Sequence, residues 1–151
     1  MSAGTTGYKR LRKPEETRMR IRKHDSDEPS YPMTALLVDS VDANRHLEHQ
    51  ILESIGVQTE PANNAHEAMQ LLLTGVNFDV IFVDFDLPMI SGPQFVMDIR
   101  VLGIQSKIIG MLSNFNGHNS QMFFEAGVNG NTQKPLTRET FEHIFQIIRI
   151  M

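Results

Sequence analysis

From Thr34 onward, short aliphatic runs alternate with amphipathic stretches, and very few architectures accommodate that alternation. The runs are Ala35-Leu36-Leu37-Val38, a weaker one near Val57–Glu60, Val80-Ile81-Phe82-Val83, Lys107–Leu112, and a short one around Gly130–Gln133. Helical patterns fall between them at residues 43–55, 65–74, 93–102, 120–126 and 138–150. The last carries Phe141, Ile144, Phe145 and Ile148 at the spacing of one buried stripe. Thr137 stands where an N-cap would open that helix, and Gly56, Gly75, Gly103 and Gly127 stand where glycines would close the first four. Successive strand–helix units of this kind predict an α/β domain with a five-stranded parallel sheet and five helices.

The remaining bounds are looser. A chain of 151 residues with 40% hydrophobic content has room for one domain with a real core. It has no cysteine, which excludes disulfides and thiolate metal sites and fits an intracellular setting. No apolar run approaches the ~18 residues of a membrane span, and the first thirty residues lack the apolar core of a signal peptide, so a soluble, unsecreted protein is expected. Charge is divided unevenly. Residues 1–33 carry eight Lys/Arg against five Asp/Glu, about +3, whereas residues 34–151 carry six against thirteen, about −7. We therefore read 1–33 as a disordered basic arm, suited to nuclear targeting or electrostatic docking or serving only as a solvated leader, and 34–151 as the folded domain. An acidic domain argues against DNA binding, which needs a cationic footprint. A monomer in the cytoplasm, the nucleus or both is the expectation.

In open parallel sheets, ligands bind beyond the carboxyl ends of the strands, at the point where neighbouring crossovers leave to opposite faces. Strand one ends in Asp39-Ser40, strand three in Asp84 followed by Phe85-Asp86-Leu87-Pro88, strand four in Ser113, and strand five in Lys134-Pro135. Any one of these polar residues is an ordinary strand-end cap. Together they are the parts of a phosphoryl-transfer site: a carboxylate nucleophile, hard oxygen ligands for a divalent cation, and donors for phosphoryl oxygens. Asp84 would be the nucleophile, with Asp39 and Lys134 beside it.

On Leu37-Val38-Asp39-Ser40, Phe78–Gly92, Ile108–Ser113 and Glu125-Ala126-Gly127 through Lys134-Pro135-Leu136, residues 34–151 resemble a receiver domain of two-component response regulators from end to end. The resemblance implies a flavodoxin-like, doubly wound sheet in the order 2-1-3-4-5. It implies phosphorylation of Asp84, with Ser113 bonding a phosphoryl oxygen and Lys134 pairing with the phosphate. It implies Mg²⁺ held by Asp39, Asp84 and the backbone carbonyl of Asp86, a cis bond before Pro135, and a histidine-containing phosphotransfer protein as partner. Such a domain is no enzyme in the ordinary sense, since it turns over only its own phosphoryl group at Asp84. With no pattern for an output domain after the fifth helix, the chain looks most like the plant type-C regulators. That points to cytokinin-linked phosphorelay and a phosphate-sink role.

Two departures stand out. The family's second acid after Asp39 is Ser40 here, a poorer Mg²⁺ ligand, and the family's switch aromatic on strand five is Asn131. Asp42 would replace the acid only if its loop folded back. These departures keep a rival open, a degenerate receiver that serves as a binding module without phosphotransfer. A second rival, a haloacid-dehalogenase-like phosphatase suggested by Val83-Asp84-Phe85-Asp86, lacks the acidic pair that should follow its lysine. His46, His49 and Glu53 share a helix face and read as a polar surface before a metal site. Phe115, Met122, Phe123 and Phe124 read mainly as core around the fourth helix, with a secondary suggestion of a partner surface.

Overall fold

The computed structural model describes residues 33–151, so the expected basic arm, apart from Met33, lies outside the described residues. Strands β1 (Thr34–Val38), β2 (Gln58–Ala62), β3 (Val80–Asp84), β4 (Lys107–Leu112) and β5 (Gly130–Gln133) alternate with helices. These are α1 (Asp42–Ser54), α2 (Ala65–Leu73), α3 (Gly92–Val101), α4 (Gly117–Ala126) and α5 (Arg138–Arg149). All strand pairs are parallel, in the order β2-β1-β3-β4-β5. The strand-by-strand expectation therefore holds, including the order implied by the resemblance.

Both faces of the sheet are covered. Leu36, Val38, Ile81, Val83, Ile108 and Leu112 meet α2, α3 and α4 through Leu72, Phe95, Ile99 and Phe123. The alternate strand residues Leu37, Phe82, Ile109 and Met111 meet α1 and α5 through Leu52, Phe141 and Phe145. Burial on both faces explains why β1 and β3 are continuous apolar runs without polar alternation. Because the β1 crossover packs on one face and the β3 crossover on the other, the switch point lies between the carboxyl ends of β1 and β3. Asp39 and Asp84 are at those ends.

Local signals account for most helix limits. Asn64, Ser91, Asn116 and Thr137 each accept a hydrogen bond from a backbone N–H one turn on. Helix α4 begins at Gly117, ahead of the expected residue 120, because the Asn116 carboxamide caps Asn119 N at 2.8 Å and so recruits a weakly helical first turn. Strand β2 extends to Ala62 through Pro61; as an edge strand it tolerates a residue without an N–H. The guanidinium of Arg100 at the end of α3 donates to Gly127 O, Ile104 O, Ser106 O and Asn129 Oδ1. It thereby ties the loops at the amino ends of the strands together. Among the described residues no helix is long and apolar enough to cross a membrane.

Candidate functional site

At the switch point Lys134, buried at the end of β5, donates through Nζ to Asp39 Oδ2 at 2.8 Å and to Asp84 Oδ2 at 3.1 Å. The Lys134–Pro135 peptide bond is cis. All three side chains are almost wholly out of water, so these are charge-assisted bonds in a low-dielectric site. Asp39 Oδ1 also accepts from Val41 N at 3.0 Å, in the turn that opens α1. Asp84 Oδ1 accepts from Asp86 N at 3.3 Å.

The electrostatics differ for each group. Burial raises the Asp39 carboxyl, but hydrogen bonds from Glu48, Lys134 and Val41 outweigh it and hold Asp39 below the ordinary value. Burial, only partly offset by Lys134 and reinforced by Asp39, pushes Asp84 up to about 6. Burial lowers Lys134, yet its hydrogen bond to Asp39 and the charges of both carboxylates leave it raised and therefore cationic at neutral pH.

The structure brings Asp39, Asp84 and Lys134 into one cluster. Asp86 is adjacent through its backbone: its side chain is exposed, while its carbonyl accepts the Ser40 hydroxyl at 3.3 Å. Ser113 lies exposed one residue beyond β4, and no hydrogen bond ties it to the cluster. Asp42 does not fold back, since its carboxylate points to solvent and pairs with Arg45 Nη2 at 2.7 Å. His49 pairs with Glu53 at 3.4 Å, and Glu53 also accepts from Thr59 N, so the helix face is a polar surface. Phe123 is fully buried, but Phe115, Met122 and Phe124 are 48%, 38% and 50% exposed, so core packing accounts for only one of the four.

Glu48, on α1, was not singled out by its sequence pattern. It is 3% exposed, and burial, with the hydrogen-bonding and charge of the Asp39 carboxylate next, raises it to about 9. Its Oε1 is buried without a partner among the described residues.

The oxygen donors suit a hard divalent cation such as Mg²⁺, which typically takes one or two carboxylates and completes its shell with water and phosphate oxygens. Asp39, Asp84 and the Asp86 carbonyl would hold it. No group of three or more His, Cys, Asp or Glu side chains among the described residues is arranged to hold a metal. A buried carboxylate pair and a fixed ammonium can receive a phosphoryl group on oxygen and stabilise its charge.

The family pattern described as the response regulator receiver domain matches residues 35–146. Two-component response regulator 24 of Arabidopsis thaliana is 35% identical over 105 residues, covering 70% of this chain and 76% of that protein. Two-component response regulator ORR42 of Oryza sativa subsp. japonica is 32% identical over 117 residues, covering 78% of this chain and 87% of its own length. The crystal structure of the Vibrio cholerae chemotaxis protein CheY4 superposes with a TM-score of 0.72 at 24% identity, covering 78% of this chain and 98% of that one. At that identity the structural likeness speaks for the fold.

Proposed function

The chain belongs to the response regulator receiver domain family, and from that premise we propose that it accepts a phosphoryl group from a phosphohistidine onto Asp84. The observation that carries this reading is Lys134, held between Asp39 and Asp84 at the sheet's switch point. In the transfer, an Asp84 carboxylate oxygen attacks phosphorus and forms an acyl phosphate as the P–N bond to the donor imidazole breaks. The imidazole keeps the electron pair and takes up a proton. Lys134 balances the charge that gathers on the phosphoryl oxygens, and in this reading the Ser113 hydroxyl, one residue beyond β4, donates to one of them. Mg²⁺, when bound at Asp39, Asp84 and the Asp86 carbonyl, supplies further neutralisation.

The partner we infer is a histidine-containing phosphotransfer protein. Its relatives include plant two-component response regulators, and the relay we infer is of the cytokinin type, with this domain draining phosphate as a sink. Residues 34–151 form the receiver unit in this reading, with the basic residues of 1–33 as a docking or nuclear-targeting arm.

One observation favours the rival binding module. The Ser40 hydroxyl donates to the Asp86 carbonyl at 3.3 Å, so an oxygen proposed for the cation already has a partner within the protein. Transfer of labelled phosphate from a phosphorylated histidine phosphotransfer protein, with Mg²⁺ and with chelator, decides between the two. Labelling of the wild type but not of Asp84→Asn, or Asp84-dependent release of free phosphate, is the expected result. A donor that binds the chain and keeps its label would establish the binding module instead.

A further inference from the structure

Helix α1 turns the wrong residue inward by ordinary patterning: Leu47 is 53% exposed, while the adjacent Glu48 is 3% exposed. Burying a carboxyl in place of a leucine is unfavourable unless the carboxyl has specific partners. Glu48 has one in the buried Asp39, which with burial itself holds the Glu48 carboxyl well above its ordinary range. Lys134 is already taken by Asp39 and Asp84, and Glu48 Oε1 stays buried with no donor among the described residues. The acid missing at Ser40 is thus matched by an extra acid reaching the same aspartate from the helix. Local rules broken without a stability reason mark functional positions.

We propose that Glu48 is a positioning residue for the divalent cation, taking over from α1 the part of an acid beside Asp39. One carboxyl oxygen holds Asp39 in place, and the other is an acceptor for a water of the cation's hydration shell, which Mg²⁺ characteristically retains. The inference rests on the phosphoacceptor reading of the pocket and deepens it.

The test is calorimetric titration of the full chain with Mg²⁺ alone, in wild type, Asp84→Asn, Glu48→Leu and Glu48→Gln. Binding by the wild type that weakens in Asp84→Asn establishes the pocket; no wild-type binding overturns the reading and the inference together. Given binding, Glu48→Leu should weaken Mg²⁺ by about 10-fold or more, the usual effect of losing a ligand-orienting group. Glu48→Gln, whose amide donates to Asp39 and keeps an acceptor oxygen, should stay within about threefold, a rescue expected of a hydrogen-bonding role. Unchanged affinity in Glu48→Leu, or equal loss in both variants, overturns the proposal while leaving the pocket's function intact. Should Glu48→Leu not fold, Ser40→Asp supplies an independent reading. It should tighten Mg²⁺ more in a Glu48→Met background than in the wild type, and equal gains in both backgrounds would sink the idea.

Discussion

On the proposed reading Asp84 must be ionised to attack phosphorus, yet burial lifts its carboxyl to about 6 from an ordinary 3.8. Without metal, phosphoryl acceptance should therefore fall as pH drops through about 6, a pH–rate profile that added Mg²⁺ should shift to lower pH. The stability consequence has the opposite sign to the usual carboxylate. Between roughly pH 4 and 6 the folded state binds a proton that the unfolded chain has released, so metal-free stability declines as pH rises across that window. Asp84→Asn should lessen the decline in melting temperature, leaving the part due to Glu48, whose carboxyl is raised to about 9 and acts in the same sense. A profile unchanged by the substitution would show that Asp84 titrates normally. Ser40 offers a second test at this scale. Its hydroxyl bonds the Asp86 carbonyl, and Ser40→Asp should exchange that contact for a cation ligand and tighten Mg²⁺. An unchanged affinity would mean that position 40 does not face the cation.

The junction of β3 and α3 holds Asp84 in register. A Cβ added at Gly92 would lie 2.2 Å from the Asp84 carbonyl oxygen, and backbone cannot give way as a flexible side chain would. Gly92 N also donates to Phe85 O at 3.0 Å, closing the loop that carries Asp86. Gly92→Ala should thus cost about 1–3 kcal/mol in urea denaturation, the typical penalty of overpacking. Unlike an ordinary core lesion it should also disturb the pocket, read as lost Mg²⁺ affinity. Wild-type stability and affinity in this variant would refute the tight junction. Among the elements, β1, β3 and β4 are legible because burial on both faces demands largely apolar runs without polar alternation. The start of α4 was misjudged because Gly117, His118 and Asn119 are poor helix formers whose placement depends on the Asn116 cap.

Across the whole molecule the question is how far a signal at Asp84 can travel. Where the resemblance to receivers implies an inward-turning aromatic the chain has Asn131, whose amide donates to Ser120 O at 3.1 Å and Ser120 Oγ at 2.7 Å. That pair binds β5 to α4 at the place where a swinging ring would otherwise provide two states. Coupling between distant sites requires such a bistable element. Saturation with beryllofluoride, a phosphoryl mimic, should therefore move amide resonances in the loops after β1, β3 and β4 while leaving α5 near its unliganded positions. Shifts of comparable size throughout α4, β5 and α5 would show that another element carries the change.

What could be read from the chain alone was whatever depends on position along it. Strand and helix alternation, caps and closing glycines act over a few residues, and Asp39, Asp84, Ser113 and Lys134 declare themselves by ending strands. The tertiary structure settled what depends on rotation and reach. It turned Glu48 inward and Leu47 outward on one amphipathic helix, drew Lys134 onto two carboxylates from far along the chain, and engaged Ser40 with the Asp86 carbonyl. A helix read as a sequence has a period but no fixed orientation. Only packing against the sheet, and the charges already gathered there, selects the face that is buried.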